Sequence, residues 1–286
     1  MKLINQSFKF INQTDFSLVG IKKHIERCAR VSYKSEDKIT DTSYEKFVSM
    51  LKSRKHDRPL EFGTVHLKLT LNALDLFSET VVTSKMFNNQ WVQWNIQEDS
   101  EDNEYYAYMT TNYRYYLALL TEAPWLSKYL DSNDNEYYPK RYTVHMILDR
   151  GVMDEFRTHV GLSHLAESTR YCNYSKDKFG NEITFIKPCW LNLPTDYAVY
   201  SGDNDSDYFM QALEDAENWY LSLLKEGWTP QQARSVLPLG IKSELISCGF
   251  EDAWKNFFYR RCAKDAHPMA REIAIPLQEK FKELNQ

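Results

Sequence analysis

Apolar residues recur along this chain at two spacings, and each spacing predicts one kind of element. A repeat of three to four residues, as at Leu18, Ile21 and Ile25, predicts a helix that Asp15 or Ser17 can cap. Further helices are predicted from Thr42 or Ser43 to residue 51 and over 113–120, 208–225, 252–264 and 267–284. Strict alternation predicts strands over 64–71 and 141–149, with shorter strands over 2–11, 105–110 and 182–187.

The stretch 154–180 combines helical spacing with an unusual density of polar side chains. Val152, Phe156, His159 and Leu162 recur at helical spacing, so we predict a helix through this part of the chain. Gly161 weakens that helix, and the chain then becomes polar and loop-like. The sequence therefore predicts a helix that ends in a polar loop.

The order of these elements predicts the fold class. Strands and helices are mixed along the chain, and no repeat, low-complexity tract or flexible linker divides it. We predict a single α+β domain over 1–286, with a central antiparallel-type sheet flanked by helices. The less regular region around 72–135 is rich in Trp and Tyr and is interpreted as an insertion that packs on the core or on a neighbouring subunit.

Composition narrows the classes of function. The net charge of −5 gives no reason to expect a nucleic-acid partner. No run of about 20 apolar residues and no signal-type N-terminus is found, so a soluble, cytoplasmic protein is expected. The five cysteines are scattered without a C-x-x-C pair, which favours reduced thiols and makes a zinc site unexpected.

Residues 167–171 offer the donors that a phosphate group prefers. Ser168 and Thr169 carry hydroxyl groups, and Arg170 carries a guanidinium. A solvated loop with a structural arginine explains the same composition equally well, because Ser and Thr also form turns. Composition alone leaves both interpretations open.

The same segment resembles the signature of the flavin-dependent thymidylate synthases, R-H-R-x-x-S-x-N-E-x-S-x-R-Y. His159, Ser163, Ser168, Arg170 and Tyr171 fall in register with it. The residues that depart from the signature are Thr158 and Val160 in place of the two first arginines, and Leu165 and Ala166 in place of Asn-Glu.

Three other stretches resemble elements of the same family, in the same order along the chain. His56, Pro59, Leu60 and Glu61 match G-H-x-[ST]-P-[FL]-E-H, although Arg58 replaces the small hydroxyl residue and Phe62 the second histidine. Arg234 matches A-R-x-x-L-P, and Asn256 and Arg261 match N-F-x-x-x-R. Ser32 lies in a small-residue turn that resembles one beside the flavin. Without the resemblance, Ser32 reads as part of a plain turn and His56 as a surface residue.

The resemblance implies reductive methylation of dUMP to dTMP, with methylenetetrahydrofolate as one-carbon donor, FAD as hydride source and NADPH as reductant. It implies that Ser168, Arg170 and Arg234 hold the nucleotide phosphate and that Arg261, the catalytic candidate, holds the pyrimidine. The residues that it assigns to the flavin are Ser32, His56, Glu61, His159 and Asn256. It also implies a homotetramer with sites between subunits.

Thr158 and Val160 remove two positive charges from the implied site, and this departure leaves alternatives open. Arg157, Arg58 or Arg260 could restore the charge from a neighbouring position. Otherwise the chain is a divergent paralogue that modifies another pyrimidine nucleotide, or a non-catalytic nucleotide or flavin sensor. A third class is a metal enzyme built from His159, His164 and Glu167, in which His164 and Glu167 would share a helix face.

Overall fold

The computed structural model describes residues 1–70, 87, 89–98, 104–170, 172–176, 179–191 and 205–284. Tyr171 of the signature-like segment and much of 72–135 lie outside these residues, as does the end of the strand predicted over 64–71. None of the helices in the described ranges is both long enough and apolar enough to cross a membrane.

The described helices follow the predicted order. They are α1 (Leu18–Tyr33), α2 (Ser43–Ser53), α3 (Tyr113–Glu122), α4 (Arg150–Phe156), α5 (Asp205–Lys225), α6 (Pro230–Ala233), α7 (Glu251–Arg261) and α8 (Pro268–Leu284). Ser17 caps α1, since its side chain accepts a hydrogen bond from the backbone N–H of Gly20. Thr229 and Gln232 form a capping box at α6, which places Arg234 directly after that helix.

The strands form two four-stranded antiparallel sheets and one two-stranded parallel pair. They are β1 (Lys2–Ile4), β2 (Ser7–Phe10), β3 (Thr64–Thr70), β4 (Val92–Glu98), β5 (Tyr105–Asn112), β6 (Leu130–Asp131), β7 (Arg141–Asp149), β8 (Ser163–Ala166), β9 (Thr184–Ile186) and β10 (Lys242–Phe250). The central sheet has the order β2-β7-β10-β8, and the second sheet has the order β4-β5-β3-β6. The prediction of an α+β fold with antiparallel sheets and flanking helices is confirmed.

Apolar side chains cover both faces of the central sheet. Leu245 of β10 packs with Trp254 of α7 and Phe281 of α8 on one face. Ile246, the next residue, packs on the other face in a cluster that includes Ile25 of α1 and residues of the second sheet. Successive residues of a strand point to opposite faces, so β10 is buried on both sides and forms the centre of the molecule.

Three parts of the pattern were predicted wrongly. The helix predicted through Leu162 ends at Phe156, because Gly161 adopts a φ of +92° and residues 163–166 pair with β10 instead. The strict alternation over 64–71 implies a strand with one polar face, yet His66 on that face is buried and stacks between Phe16 and Tyr138. No strand was predicted at β10, although it lies at the centre of the sheet.

Residues 92–131 contribute β4, β5 and β6, which pair with each other or with β3. In this way the described part of the 72–135 region extends a sheet that begins with β3. That this region is an insertion stays a prediction.

Candidate functional site

The residues selected from the sequence lie around the two ends of β8. This strand pairs with β10 and, at four residues, spans about 13 Å. The loop that precedes it crosses β10 at Gly249, where a Cβ atom would lie 2.5 Å from Leu162 Cδ2 and 2.9 Å from the Gly161 carbonyl oxygen. This close crossing sets the path of the loop that carries His159.

At the start of β8, Arg261 is surrounded by acceptors from its own chain. Its Nε donates to His159 Nε2 at 2.7 Å, and its Nη1 donates to Glu155 Oε2 at 2.6 Å. Its Nη2 donates to the Glu155 carbonyl oxygen at 2.7 Å and to Thr158 Oγ1 at 3.3 Å. We call Glu155, Thr158, His159 and Arg261 the Arg261 cluster; within it, the charge of the arginine is neutralised by Glu155.

His159, in this cluster, and His164, next to it, are both held neutral. Burial lowers the pKa of His159 to about 4, and the charges of Arg261 and Arg260 act in the same direction. Burial also lowers the pKa of His164 to about 4, aided by Arg58 and Arg157. His164 Nε2 donates to the His159 carbonyl oxygen at 3.2 Å, and its Nδ1 accepts from Ser247 Oγ at 2.8 Å. Both rings therefore serve as fixed donors and acceptors near pH 7.

Beyond the end of β8, two segments that each carry an arginine contact each other. Arg234 Nη1 donates to Thr169 Oγ1 at 2.9 Å, and Arg170 Nη2 donates to Gln231 Oε1 at 3.4 Å. Ser168, half-buried, lies two residues before Arg170 in the same segment. We call Ser168, Thr169, Arg170 and Arg234 the Arg234 cluster. It combines hydroxyl groups with two guanidinium groups, a donor set suited to a phosphate.

Glu61 connects the stretch at residues 56–61 to β8. Its Oε2 accepts from Ser163 Oγ at 2.7 Å, and its Oε1 accepts from Arg114 Nη1 at 2.6 Å. Glu61 is buried, whereas His56 is exposed and its Nδ1 lies 3.2 Å from Tyr33 Oη. Tyr33, His56 and Arg114 border a cleft of about 420 Å³ between the end of α1, the 3₁₀ turn Arg58–Phe62, α3 and β8.

The remaining two candidates, Ser32 and Asn256, are not among the residues that line this cleft. Ser32, near the end of α1, has a buried Oγ without a hydrogen-bond partner among the described residues. Asn256 is exposed on α7 and makes no contact with His56 or Glu61 in the described part of the chain. The structure therefore brings together Ser168, Arg170 and Arg234, and separately His159 and Arg261, but it does not join Asn256 to either group.

A buried ionic network lies under the Arg234 cluster. Lys242 Nζ contacts Glu167 Oε2 at 3.0 Å and also pairs with Glu244. Lys34, in a left-handed conformation at the end of α1, pairs with Glu244 as well and lies 3.8 Å from Glu167 Oε2. Cys172 Sγ donates to Glu167 Oε1 at 3.3 Å. Glu167 directly precedes Ser168, so this network fixes the start of the segment that carries the cluster.

The metal-binding alternative finds no support in this geometry. In the ranges that the structure describes, no three His, Cys, Asp or Glu side chains are arranged to hold a metal ion. His164 lies in a strand rather than a helix, so His164 and Glu167 do not share a helix face. Their side chains bind Ser247 and Lys242, respectively.

A family model of the thymidylate synthase complementing protein, Thy1, matches residues 140–284, which is half of the chain. The chain belongs to this family. The matched range contains the Arg261 cluster, the Arg234 cluster and all of β8 and β10. No curated protein sequence matches the chain.

Solved structures similar to this Thy1 family member include a UMP/dUMP methylase, PolB, from Streptomyces cacaoi. The structure bound with 5-Br UMP has 15% sequence identity and a TM-score of 0.44, and it covers 99% of this chain and 92% of that chain. The structure bound with 5-Br dUMP has 16% identity and a TM-score of 0.44, with 99% and 93% covered.

Several contacts of the site in this Thy1 chain were not predicted. The Thr169 hydroxyl was recognised as a possible phosphate donor, but its contact with Arg234 was not predicted. Glu155 and Lys34 each lie a few residues from a candidate, but nothing in their spacing indicates a contact. Arg114 lies in α3, far from any motif, and only the tertiary structure reveals its pairing with Glu61.

Proposed function

We propose that the chain catalyses reductive methylation of dUMP to dTMP, with methylenetetrahydrofolate as one-carbon donor and FAD as cofactor. Membership of the Thy1 family supports this class of reaction. NADPH is the proposed reductant. A related pyrimidine nucleotide is the alternative substrate within the same proposal.

The convergence of Arg170 and Arg234 is the observation that carries the proposal. These side chains come from segments more than sixty residues apart, and Arg234 donates to the uncharged Thr169 hydroxyl in the described structure. A nucleotide phosphate carries between one and two negative charges near neutral pH. Ser168, Thr169 and the two guanidinium groups can satisfy its oxygens by charge-assisted hydrogen bonds.

The residues at the end of α1 and at 56–61 fit a flavin. Ser32 offers a buried hydroxyl that lacks a partner among the described residues, and Tyr33 and His56 offer ring surfaces at the cleft. Glu61 is fixed by Ser163 and Arg114, so its carboxylate can accept a hydrogen bond from a ring N–H group without moving. When bound, the flavin supplies the hydride that the reaction needs, while these residues hold it and exclude water.

Arg261 is the proposed partner of the pyrimidine. A guanidinium near the carbonyl oxygens of uracil would stabilise negative charge that develops in the ring. Arg261 would have to exchange its contact with Glu155 for one with the base, while His159 could continue to accept from Nε. We also propose a homotetramer in which a second subunit supplies Asn256 to the flavin, since Asn256 is exposed and does not contact the cleft residues of its own chain.

The test is direct. The visible spectrum of the purified protein is recorded, and the FAD-reconstituted protein is then reduced and mixed anaerobically with dUMP and methylenetetrahydrofolate. We expect flavin reoxidation together with dTMP. A protein that binds neither FAD nor dUMP would contradict the proposal.

The geometry of Arg261 favours a second candidate, a non-catalytic nucleotide or flavin sensor. In the described structure, four of the five N–H groups of this guanidinium are engaged by Glu155, Thr158 and His159. A chain in which Arg261 never leaves these partners would bind the nucleotide without activating its base. Tritium release from 5-labelled dUMP separates the two functions, because only the enzyme releases it.

A further inference from the structure

The cleft at the end of α1 has an excess of positive charge. Its described lining contains three cationic side chains, those of Lys55, Arg58 and Arg114, against one carboxylate, that of Asp57. We call it the cationic cleft. Charge of this kind in a concave site attracts anionic ligands more strongly than the same charge on a flat surface.

The two arginines of the cationic cleft are available to a ligand. Arg114 donates to Glu61 through Nη1, and its side chain is still 52% exposed. Arg58 is exposed and contacts no carboxylate within the described ranges. Arg157, which was considered from the sequence as a replacement charge, is paired with Asp154, and Arg114 is paired with Glu61. Arg58 therefore supplies the unbalanced positive charge of the cleft, and Arg114 adds the N–H groups of its half-exposed side chain that Glu61 does not engage.

The cationic cleft also adjoins the signature-like segment. Leu165 of β8 lines it, and Glu61 connects Arg114 to Ser163 of the same strand. Arg58 is close enough to His164 for its charge to help lower the pKa of that ring. Positive charge is therefore present beside β8 on the side of the 3₁₀ turn and α3. The loop that precedes β8 lacks the two arginines of the family signature, since Thr158 and Val160 stand in their places.

We propose that the cationic cleft binds the pyrophosphate group of FAD, and that Arg58 and Arg114 supply the charge that Thr158 and Val160 do not. This inference rests on the proposed function. A pyrophosphate is favoured over the nucleotide phosphate because the Arg234 cluster, which follows β8, already offers donors for the latter. The cleft in turn borders Tyr33 and His56, next to the residues proposed for the flavin.

Four proteins test the proposal: the wild type, Arg58→Ala, Arg114→Met and the control Arg54→Ala. Arg54 is an exposed arginine four residues from Arg58 that does not line the cleft. Equilibrium dialysis of each full-length apoprotein measures the dissociation constants of FAD, riboflavin and dUMP. Riboflavin has the flavin ring without a phosphate, so it reports the ring site alone.

We expect each cleft variant to weaken FAD binding by about tenfold to a hundredfold, the range for a charge-assisted hydrogen bond. In Arg58→Ala, riboflavin and dUMP binding should change by less than about twofold, and Arg54→Ala should resemble the wild type. Arg58→Ala is the cleaner variant, because Arg114→Met also leaves Glu61 without its cation.

Three results would overturn the inference while leaving the proposed function intact. FAD binding could be unchanged in both variants, FAD and riboflavin could weaken equally, or the loss could fall on dUMP, which would assign the cleft to the nucleotide phosphate. A wild-type protein that binds neither FAD nor dUMP would instead contradict the proposed function, and this inference with it.

Discussion

Arginine side chains at the two ends of β8 are in opposite electrostatic situations. In the Arg261 cluster, the guanidinium is neutralised by Glu155 and engaged by Thr158 and His159. In the Arg234 cluster, Arg234 donates to the Thr169 hydroxyl, which carries no charge. The first arrangement must rearrange before it binds an anionic or polar ligand, whereas the second is prepared for an anion.

This difference shows that a match to a motif does not determine whether the charge of a side chain is balanced by a neighbour. Arg234 and Arg261 both match family elements, and both are partly buried. The neighbouring carboxylate decides which of them offers a net positive charge. Four measurements test this difference between the two clusters and the residues that support them.

The largest expected effect concerns the ionic network that supports the Arg234 cluster. Lys242→Met leaves Glu167 and Glu244 with Lys34 as the remaining close cation of the network, and breaking a buried ion pair is strongly destabilising. We expect the free energy of unfolding to fall by about 3 kcal/mol, measured by urea denaturation. The control is Lys255→Met, which removes an exposed pair with Glu251 and should cost less than about 1 kcal/mol. Equal losses of unfolding free energy in the two variants would show that the buried network stabilises the fold no more than an exposed ion pair does.

The next effect concerns the anion-binding capacity of the Arg234 cluster. Arg234→Ala should weaken dUMP binding by roughly 1.5–3 kcal/mol, or one to two decades, because a charge-assisted hydrogen bond to the phosphate is lost. Calorimetric titration with dUMP and with deoxyuridine measures this, and the loss should be confined to dUMP. An equal loss for deoxyuridine would place the effect on the base or the fold rather than the phosphate.

A third measurement addresses the neutral histidine between the clusters. Burial lowers the pKa of His164 to about 4, whereas an unfolded histidine has a pKa of about 6.5. Between these values the unfolded chain binds a proton here that the folded chain does not, so stability is present at higher pH and falls as pH drops from about 6.5 towards 4. His164→Gln should reduce the slope of unfolding free energy against pH by about 1.4 kcal/mol per unit. An unchanged slope between pH 4.5 and 6 would contradict this assignment.

The smallest effect concerns the carboxylate of the Arg261 cluster. Glu155→Gln retains an acceptor for Arg261 but removes the neutralising charge, so the guanidinium should leave more easily for a nucleotide. We expect dUMP affinity to rise by about twofold to threefold, because Glu155 is 39% exposed and the pair is screened by solvent. Glu251→Gln, which alters an exposed pair on the same helix as Arg261, is the control. A lower dUMP affinity would mean that Glu155 holds Arg261 in its binding position.

Local signals in the sequence predicted the elements that local interactions determine. The cap at Ser17 and the alternation over β7 are both present in the structure. The path of 157–166 could not be predicted in this way, because pairing with β10 replaces the helical pattern of His159 and Leu162.

The centre of the sheet was missed for a related reason. β10 is buried on both faces and carries Lys242 and Glu244 near its start, so it shows neither clean alternation nor an uninterrupted apolar run. Those two charges are tolerated because Lys34 and Glu167 come from elsewhere in the chain. In the candidate site, the motifs indicated Arg234 and Arg261, but the partners that set their charge, Glu155 and Thr169, depend on the tertiary structure.

The crossing at Gly249 has a consequence for how this chain can change during evolution. The path of the loop before β8 is sterically locked, because any side chain at position 249 would collide with Leu162 and the Gly161 backbone. The outward-facing positions of that loop are under no such restriction: Thr158 is exposed and Val160 is 75% exposed. Charge at those two positions can therefore drift while the backbone is inherited unchanged, so a lineage can replace both signature arginines without altering its fold.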